Sequence, residues 1–276
     1  MNRLPRAIML VTVALALNAA AEPRQPTARW TVDFDDAQCV ASRNYGTPQK
    51  PLQLVIKALP LGDVVQVGII RPDERAETTT LGATVTIDDG TPIATRMLAF
   101  TPTGSKQRAY LANLPVATFT QLTAAKSLSF VAAPNLDEQL TIAGLAPLMK
   151  IMNECVADLR AVWPGSENGQ RSPKTKSPPS LDLGPVLNAH HYPGVASARL
   201  LGGAVKLVLL IDESGKVADC TVIGTSGAAS LGVQACALVS ERGTFKPATG
   251  LDGKPSKSSL VQSIDWRVGG DPVVPW

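Results

Sequence analysis

Val205-Lys206-Leu207-Val208-Leu209-Leu210-Ile211 is a short apolar run broken only by Lys206. Its length and β-branched content suit a strand better than a helix. Asp212-Glu213-Ser214-Gly215 follows as a turn, and Val217-Ala218-Asp219-Cys220-Thr221-Val222 reads as the returning strand. Strands are therefore expected at about 204–212 and 217–225. Gly224-Thr225-Ser226-Gly227 then leads into a helix over about 228–241, which places Leu231, Ala235 and Leu238 on one side with Cys236 near that face. A last strand is expected at about 257–267. Upstream, a helix or turn around 192–199 enters through Tyr192-Pro193 and leaves through Gly202-Gly203. Two strands, a helix and a third strand make a small α+β unit with one face covered and one edge open.

Working towards the N-terminus, residues 164–185 change in composition. From Pro164 to Pro179 there is no large apolar side chain, and the prolines favour extended backbone. This stretch is expected to be a Pro/Ser/Lys linker whose fully extended reach is about 70 Å at about 3.1 Å per residue. It separates the C-terminal unit, residues 186–268 with a tail over 269–276, from a β-rich N-terminal domain over residues 29–163. In that domain Trp30-Thr31-Val32-Asp33-Phe34 alternates as a half-buried strand does. Further strands are expected at 52–57, 64–70 and 108–111, with a hairpin of 85–87 and 93–98 across an Asp-Gly-containing loop. Two helices complete it, at 116–126 and 146–162. The second carries Leu148, Ile151, Met152, Cys155 and Leu159 along one stripe. The overall class is α+β.

Residues 1–21 read as a secretory signal peptide. Arg3 and Arg6 form the basic start, residues 7–17 the apolar stretch, and Ala19-Ala20-Ala21 the cleavage site before Glu22. Polar Asn18 and Glu22 bound the apolar run more tightly than the roughly 20 residues a spanning helix needs. The expected location is the periplasm, with an inner-membrane anchor as the alternative. Losing Arg3 and Arg6 lowers the basic residues from 26 to 24 against 23 acidic ones, a formal charge of +1. No clustered basic face is visible, which sets nucleic acid aside as a partner. Export also makes the four cysteines candidates for two disulfides. Three connectivities are open; the linker leaves Cys39 and Cys155 on one side and Cys220 and Cys236 on the other, so the expected pairs are Cys39–Cys155 and Cys220–Cys236.

Tyr192-Pro193, the strand ending at Ile211, Gly215-Lys216-Val217, Asp219-Cys220, Ser226-Gly227, Leu231, Cys236, Phe245-Lys246-Pro247-Ala248, Asp252-Gly253-Lys254-Pro255 and Ile264-Asp265-Trp266 together resemble the C-terminal domain of the TonB energy-transducer family. The resemblance covers roughly the last third of the chain. It implies a periplasmic domain that captures an extended segment of an outer-membrane transporter, or of another envelope protein, by β-strand addition, with a link to energy-dependent transport. Backbone groups of an unpaired edge supply affinity in such binding and side-chain pockets select sequence. On this chain the edge is expected on the last strand, at Ser258, Leu260, Gln262 and Ile264. Three features depart from the family: the start of the chain reads as cleavable, the linker is short, and an extra folded domain precedes it. An inner-membrane motor complex is implied as partner only if the N-terminus stays uncleaved. The N-terminal block from Trp30 through Cys39-Val40-Ala41-Ser42-Arg43-Asn44-Tyr45-Gly46 to Cys155 resembles the leading domain of some TonB-like envelope proteins. The alternative reading makes that domain the functional part, binding a ligand or surface, with the C-terminal domain for docking.

Catalytic readings find little support. His190 and His191 are the only histidines, and neighbours on a chain diverge in direction, so a solvated loop is expected there. Gly224-Thr225-Ser226-Gly227 lacks the spacing of a nucleophile turn and fits a strand-to-helix connection with Ser226 as a cap. Asp33, Asp35 and Asp36 lack the full calcium-loop pattern. Gly202-Gly203 is too short to cradle a phosphate, and Arg96 and Arg108 are expected to face solvent on the sheet. No enzyme activity, metal or cofactor is expected.

Overall fold

The computed structural model describes residues 22–273 apart from 76, 103, 167–171 and 181–182, so the expected signal peptide lies outside the described residues. The first half is a run of strands: β1 (Thr31–Asp35), β2 (Gln38–Thr47), β3 (Lys50–Ala58), β4 (Val64–Pro72), β5 (Thr79–Ile87), β6 (Ile93–Phe100) and β7 (Gln107–Pro115). After a short helix α1 (Ala117–Leu122) come β8 (Ser127–Ala132), β9 (Leu136–Thr141) and the long helix α2 (Leu145–Val162). The nine strands form one antiparallel sheet in the order β1-β2-β3-β4-β7-β6-β5-β8-β9. Alternation sets its inner face: Leu52, Leu54 and Ile56 of β3, Val67 and Ile69 of β4, and Leu128 and Phe130 of β8 are buried. They meet Leu148, Met149, Met152, Val156 and Leu159 of α2 in one core.

Residues 24–27 join the two sides of this curled sheet. Arg24 N donates to Gln139 O at 2.7 Å and Thr141 N to Arg24 O at 3.0 Å on β9, while Thr27 N donates to Asn44 O at 2.9 Å on β2. Edge groups of two strands are thereby satisfied by one segment. Glu138 at this end accepts from Arg24 Nε at 2.5 Å and Arg71 Nη1 at 2.9 Å. Arg108, expected to face solvent, is 2% exposed; its guanidinium donates to the carbonyls of Arg75, Glu77 and Ala99, which offsets the cost of burying it. Arg96 is exposed.

Helix α1 is shorter than the expected 116–126. Thr123 N and Ala125 N bond to the carbonyls three residues back, tightening the turn, and Lys126 N and Ser127 N both donate to Asp88 Oδ1 at 2.8 Å. The chain is thus held at the start of β8 instead of continuing as helix. Strands β2, β8 and β9 fall outside the strands expected from the sequence. The inward positions of β2 include Cys39 and Ala41, too small to register as a hydrophobic period.

The second half holds β10 (Gly165–Ser166), β11 (Thr175–Ser177), a short helix α3 (Gly194–Ala198), β12 (Gly203–Ile211), β13 (Val217–Thr225), α4 (Ala229–Arg242), β14 (Ala248–Gly250), β15 (Pro255–Ser256) and β16 (Ser258–Trp266). A sheet of order β10-β16-β12-β13 packs Leu207, Leu209, Ile264 and Trp266 against Leu231, Ala235, Leu238 and Val239 of α4. Cys220 and Cys236 form a disulfide that fastens β13 to α4, and Cys39 and Cys155 form one that fastens β2 to α2.

The opposite face of this sheet is covered as well, where the sequence reading expects only one covered face. Val208 and Leu210 are 0% and 1% exposed, and Leu210 belongs to the core of the first half. Lys57 Nζ lies 2.7 Å from Asp219 Oδ1, and Asn113 Nδ2 donates to Val222 O at 3.2 Å. The intervening stretch does not act as a free spacer where it is described. β10 pairs with β16, β11 pairs with β14, and Ser180 and Lys246 exchange both backbone bonds. Its lack of large side chains is no obstacle to backbone pairing.

Candidate functional site

The punctuating residues of the second half resolve into mutual locks around β12 and β16. Asp212 Oδ1 accepts from Ser214 N, Ser214 Oγ and Lys216 N, closing the turn between β12 and β13. These hydrogen bonds outweigh desolvation and hold the Asp212 carboxyl below the usual carboxylate range. Gly215 has φ +84°, and a Cβ there would sit 1.9 Å from Phe245 O. Phe245 N in turn donates to Gly215 O at 2.7 Å. Only glycine permits that close, left-handed approach. Tyr192 meets Trp266 edge-on at 5.3 Å between ring centroids and donates its hydroxyl to Leu201 O.

Strand β16 lies antiparallel to β12 in an unbroken register from Gly203 opposite Trp266 to Ile211 opposite Ser258. In such a ladder alternate residues direct their backbone groups to the two sides. Asp265 exchanges both bonds with Val273, at 2.7 and 2.8 Å, and Ser259 N donates to Pro164 O at 3.2 Å. Odd-numbered residues of β16 therefore face the outer edge. The expected binding positions Ser258, Leu260, Gln262 and Ile264 are all on β16, but their backbone groups face β12. Their side chains point to the α4 face, with Ile264 buried in that core and Leu260 packed against it. The edge itself belongs to Ser259, Val261, Ser263 and Asp265.

That edge is occupied near both ends. β10 runs parallel to β16 with Gly165 opposite Ser259 and Ser166 opposite Leu260. Val273 pairs at Asp265. Between them, residues 261–263 have no strand beside them among the described residues. Within this window the Ser263 carbonyl accepts the Gln262 side-chain amide at 2.9 Å. The occupying residues carry no strand signal: Pro164-Gly165-Ser166 opens the stretch expected to be a linker, and a two-residue strand leaves no period to detect.

Other singled-out residues are placed elsewhere. His191 Nε2 lies 2.7 Å from Arg242 Nη1 on the surface. Asp33, Asp35 and Asp36 are exposed along β1 and the turn after it. Ser226 does not cap α4, whose N-cap is Ala228; its hydroxyl accepts from Ala204 N at 2.9 Å and ties the start of β12 to the end of β13. On the outer face of the first sheet, a groove of about 500 Å³ is lined by uncharged residues that include Thr27, Asn44, Pro51, Gln53, Ile70 and Gln107. Among the described residues no helix is long and apolar enough to cross a membrane.

Residues 188–268 match the family model described as Gram-negative bacterial TonB protein C-terminal. The match begins just before Tyr192 and ends just after Trp266, so it spans the locks and the edge strand together. This part of the chain is accordingly similar to the C-terminal domain of TonB proteins. No curated protein and no solved structure matches the chain.

Proposed function

We propose that this is a periplasmic, non-enzymatic TonB-like protein that binds an extended segment of an outer-membrane transporter, or of another envelope protein, by strand addition at the outer edge of β16. One observation carries the reading. The matched domain ends in a nine-residue strand whose residues 261–263 are unpaired on the outer side among the described residues. An unpaired edge offers backbone donors and acceptors to any extended chain of the right register. In this reading residues 1–21 are a cleaved signal peptide, residues 29–163 an added domain, residues 164–185 the connection, residues 186–268 the binding domain and 269–276 its tail. A coupling to energy-dependent transport follows only if the N-terminus remains in the inner membrane.

The test is photo-crosslinking in cells. A crosslinking amino acid placed at Val261 or Ser263 should trap a transporter or envelope protein through a short extended segment. The same group at Asn44 or Gln53 should trap nothing. The opposite pattern would favour the second reading, in which the uncharged groove over β2, β3 and β4 binds a ligand or surface and the TonB-like domain docks the protein.

A further inference from the structure

We infer that β10 is a built-in ligand of the β16 edge. On this inference the residues following α2 hold the binding strand closed, in the parallel sense, until a partner strand displaces them. It rests on the strand-addition reading above and specifies how that site is regulated and in which direction a partner enters it.

Four contacts converge on these residues. Ser259 N donates to Pro164 O at 3.2 Å, and Ser259 Oγ donates to Trp163 O at 2.9 Å. Lys257 Nζ stands 5.1 Å from the centroid of the Trp163 ring. The pairing of Gly165 with Ser259 and Ser166 with Leu260 completes a short parallel ladder. Ser259 is 0% exposed, so without β10 its outward backbone groups would need another partner. A bound extended peptide would supply the same groups.

The occupant is held from behind by the first half of the chain. Trp163 is 2% exposed, its Nε1 donates to Asp36 O at 2.7 Å, and its backbone N caps α2 through Leu159 O. Gly165 lies against Leu61, where an added Cβ would fall 2.3 Å from Leu61 Cδ2. The N-terminal half therefore presents a fixed anchor and a thin, glycine-containing strand that fits between Leu61 and the edge. Pro164 is buried, and Gly165 and Ser166 are held by pairing with β16 and by this contact. They are the part that a competing strand can replace while Trp163 stays in its core.

Occupancy of this kind scales the apparent affinity by the fraction of molecules in which the edge is open. Ser166→Pro removes the N–H that a parallel ladder in this register aims at the Ser259 carbonyl. Gly165→Val forces Leu61 and β10 apart. Both variants act outside the proposed partner-contacting residues 261–263. The probe is a synthetic peptide copying residues 158–166, titrated into the full-length oxidised protein while backbone amide resonances are followed. Hydrogen exchange at the Ser259 amide reports whether β10 has been released.

Released variants should show faster exchange at Ser259. They should also shift the amides of residues 259–265 at a peptide concentration at least about 10-fold lower than the wild type needs. Equal half-saturation in wild type and released variants would overturn the gating while leaving strand addition standing. Absence of shifts at 259–265 in every form, with β10 demonstrably released, would overturn the strand-addition reading and the inference with it.

Discussion

Lys57 on β3 and Asp219 on β13 face each other at 2.7 Å across the junction of the two sheets, each side chain only 16% exposed. The carboxylate is also fixed by the Thr221 hydroxyl, which donates to Asp219 Oδ2 at 3.0 Å. Removing one partner leaves the other partly desolvated. Asp219→Asn and Lys57→Met should each cost about 1–3 kcal/mol in urea unfolding, and the double variant less than their sum. Additive costs would show that the pair does not couple the two halves.

The Cys220–Cys236 bridge spans 16 residues and fastens α4 to the sheet that carries the edge. Replacing both cysteines by serine should destabilise the C-terminal half by about 3 kcal/mol in the chain-entropy account. Since β16 pairs with β12, and not directly with α4, the β12–β16 ladder should keep its register. Amide exchange along Ser258–Trp266 tests this: protection should fall in step with global stability, without a selective loss at β16.

A fragment beginning at residue 186 cuts away groups that the second core uses. Leu183 is 3% exposed within that core, β11 pairs with β14, and Ser180 exchanges bonds with Lys246. A fragment over residues 172–276 should therefore be more stable than one over residues 186–276 by about 2–4 kcal/mol, the scale of losing a buried leucine and its surroundings. Both leave Val208 and Leu210 uncovered, so both should associate more readily than the full chain, as sedimentation would reveal.

Burial pushes the Tyr45 hydroxyl up to about 12, with neighbouring Arg43 pulling the other way. Its hydroxyl donates to Thr141 O at 2.9 Å, linking β2 to the end of β9. A raised folded-state value means that the stability is fully present below the ordinary tyrosine value of 10 and is lost as pH rises towards 12. Tyr45→Phe should cost about 1 kcal/mol at neutral pH. It should also flatten the alkaline limb of the stability curve between those two values; an unchanged limb would mean other groups govern it.

At the acid end, the Arg75 side chain bonding to Asp73 holds its carboxyl far below the usual range, aided by the Tyr110 hydroxyl against the cost of desolvation. A depressed value contributes stability above the ordinary carboxylate range that is lost as pH falls through it. Asp73→Asn should reduce stability at pH 7 and leave a shallower loss below about pH 4 than the wild type shows.

The last third of the chain was the most legible. Val205 to Ile211, the Asp212–Gly215 turn and the Leu231, Ala235, Leu238 stripe each announce their element, and all are buried or closed where the pattern places them. The N-terminal half was less so. Cys39 and Ala41 are too small to mark β2, while Leu136 and Leu140 of β9 flank Glu138, whose burial depends on Arg24 and Arg71 reaching it. Arg108 shows the same limit: its burial depends on three carbonyls brought together by strands distant in sequence.

Sequence alone determined the hairpin, the helix, the last strand and the family resemblance of residues 188–268, because each follows from local periodicity, turn chemistry and a fixed set of punctuating residues. It also singled out the strand expected to bind. Tertiary structure decided which side of that strand faces out and how much of it is open. Those properties depend on where Pro164-Gly165-Ser166 and Val273 come to rest, and backbone pairing by short polar segments leaves no mark in side-chain hydrophobicity.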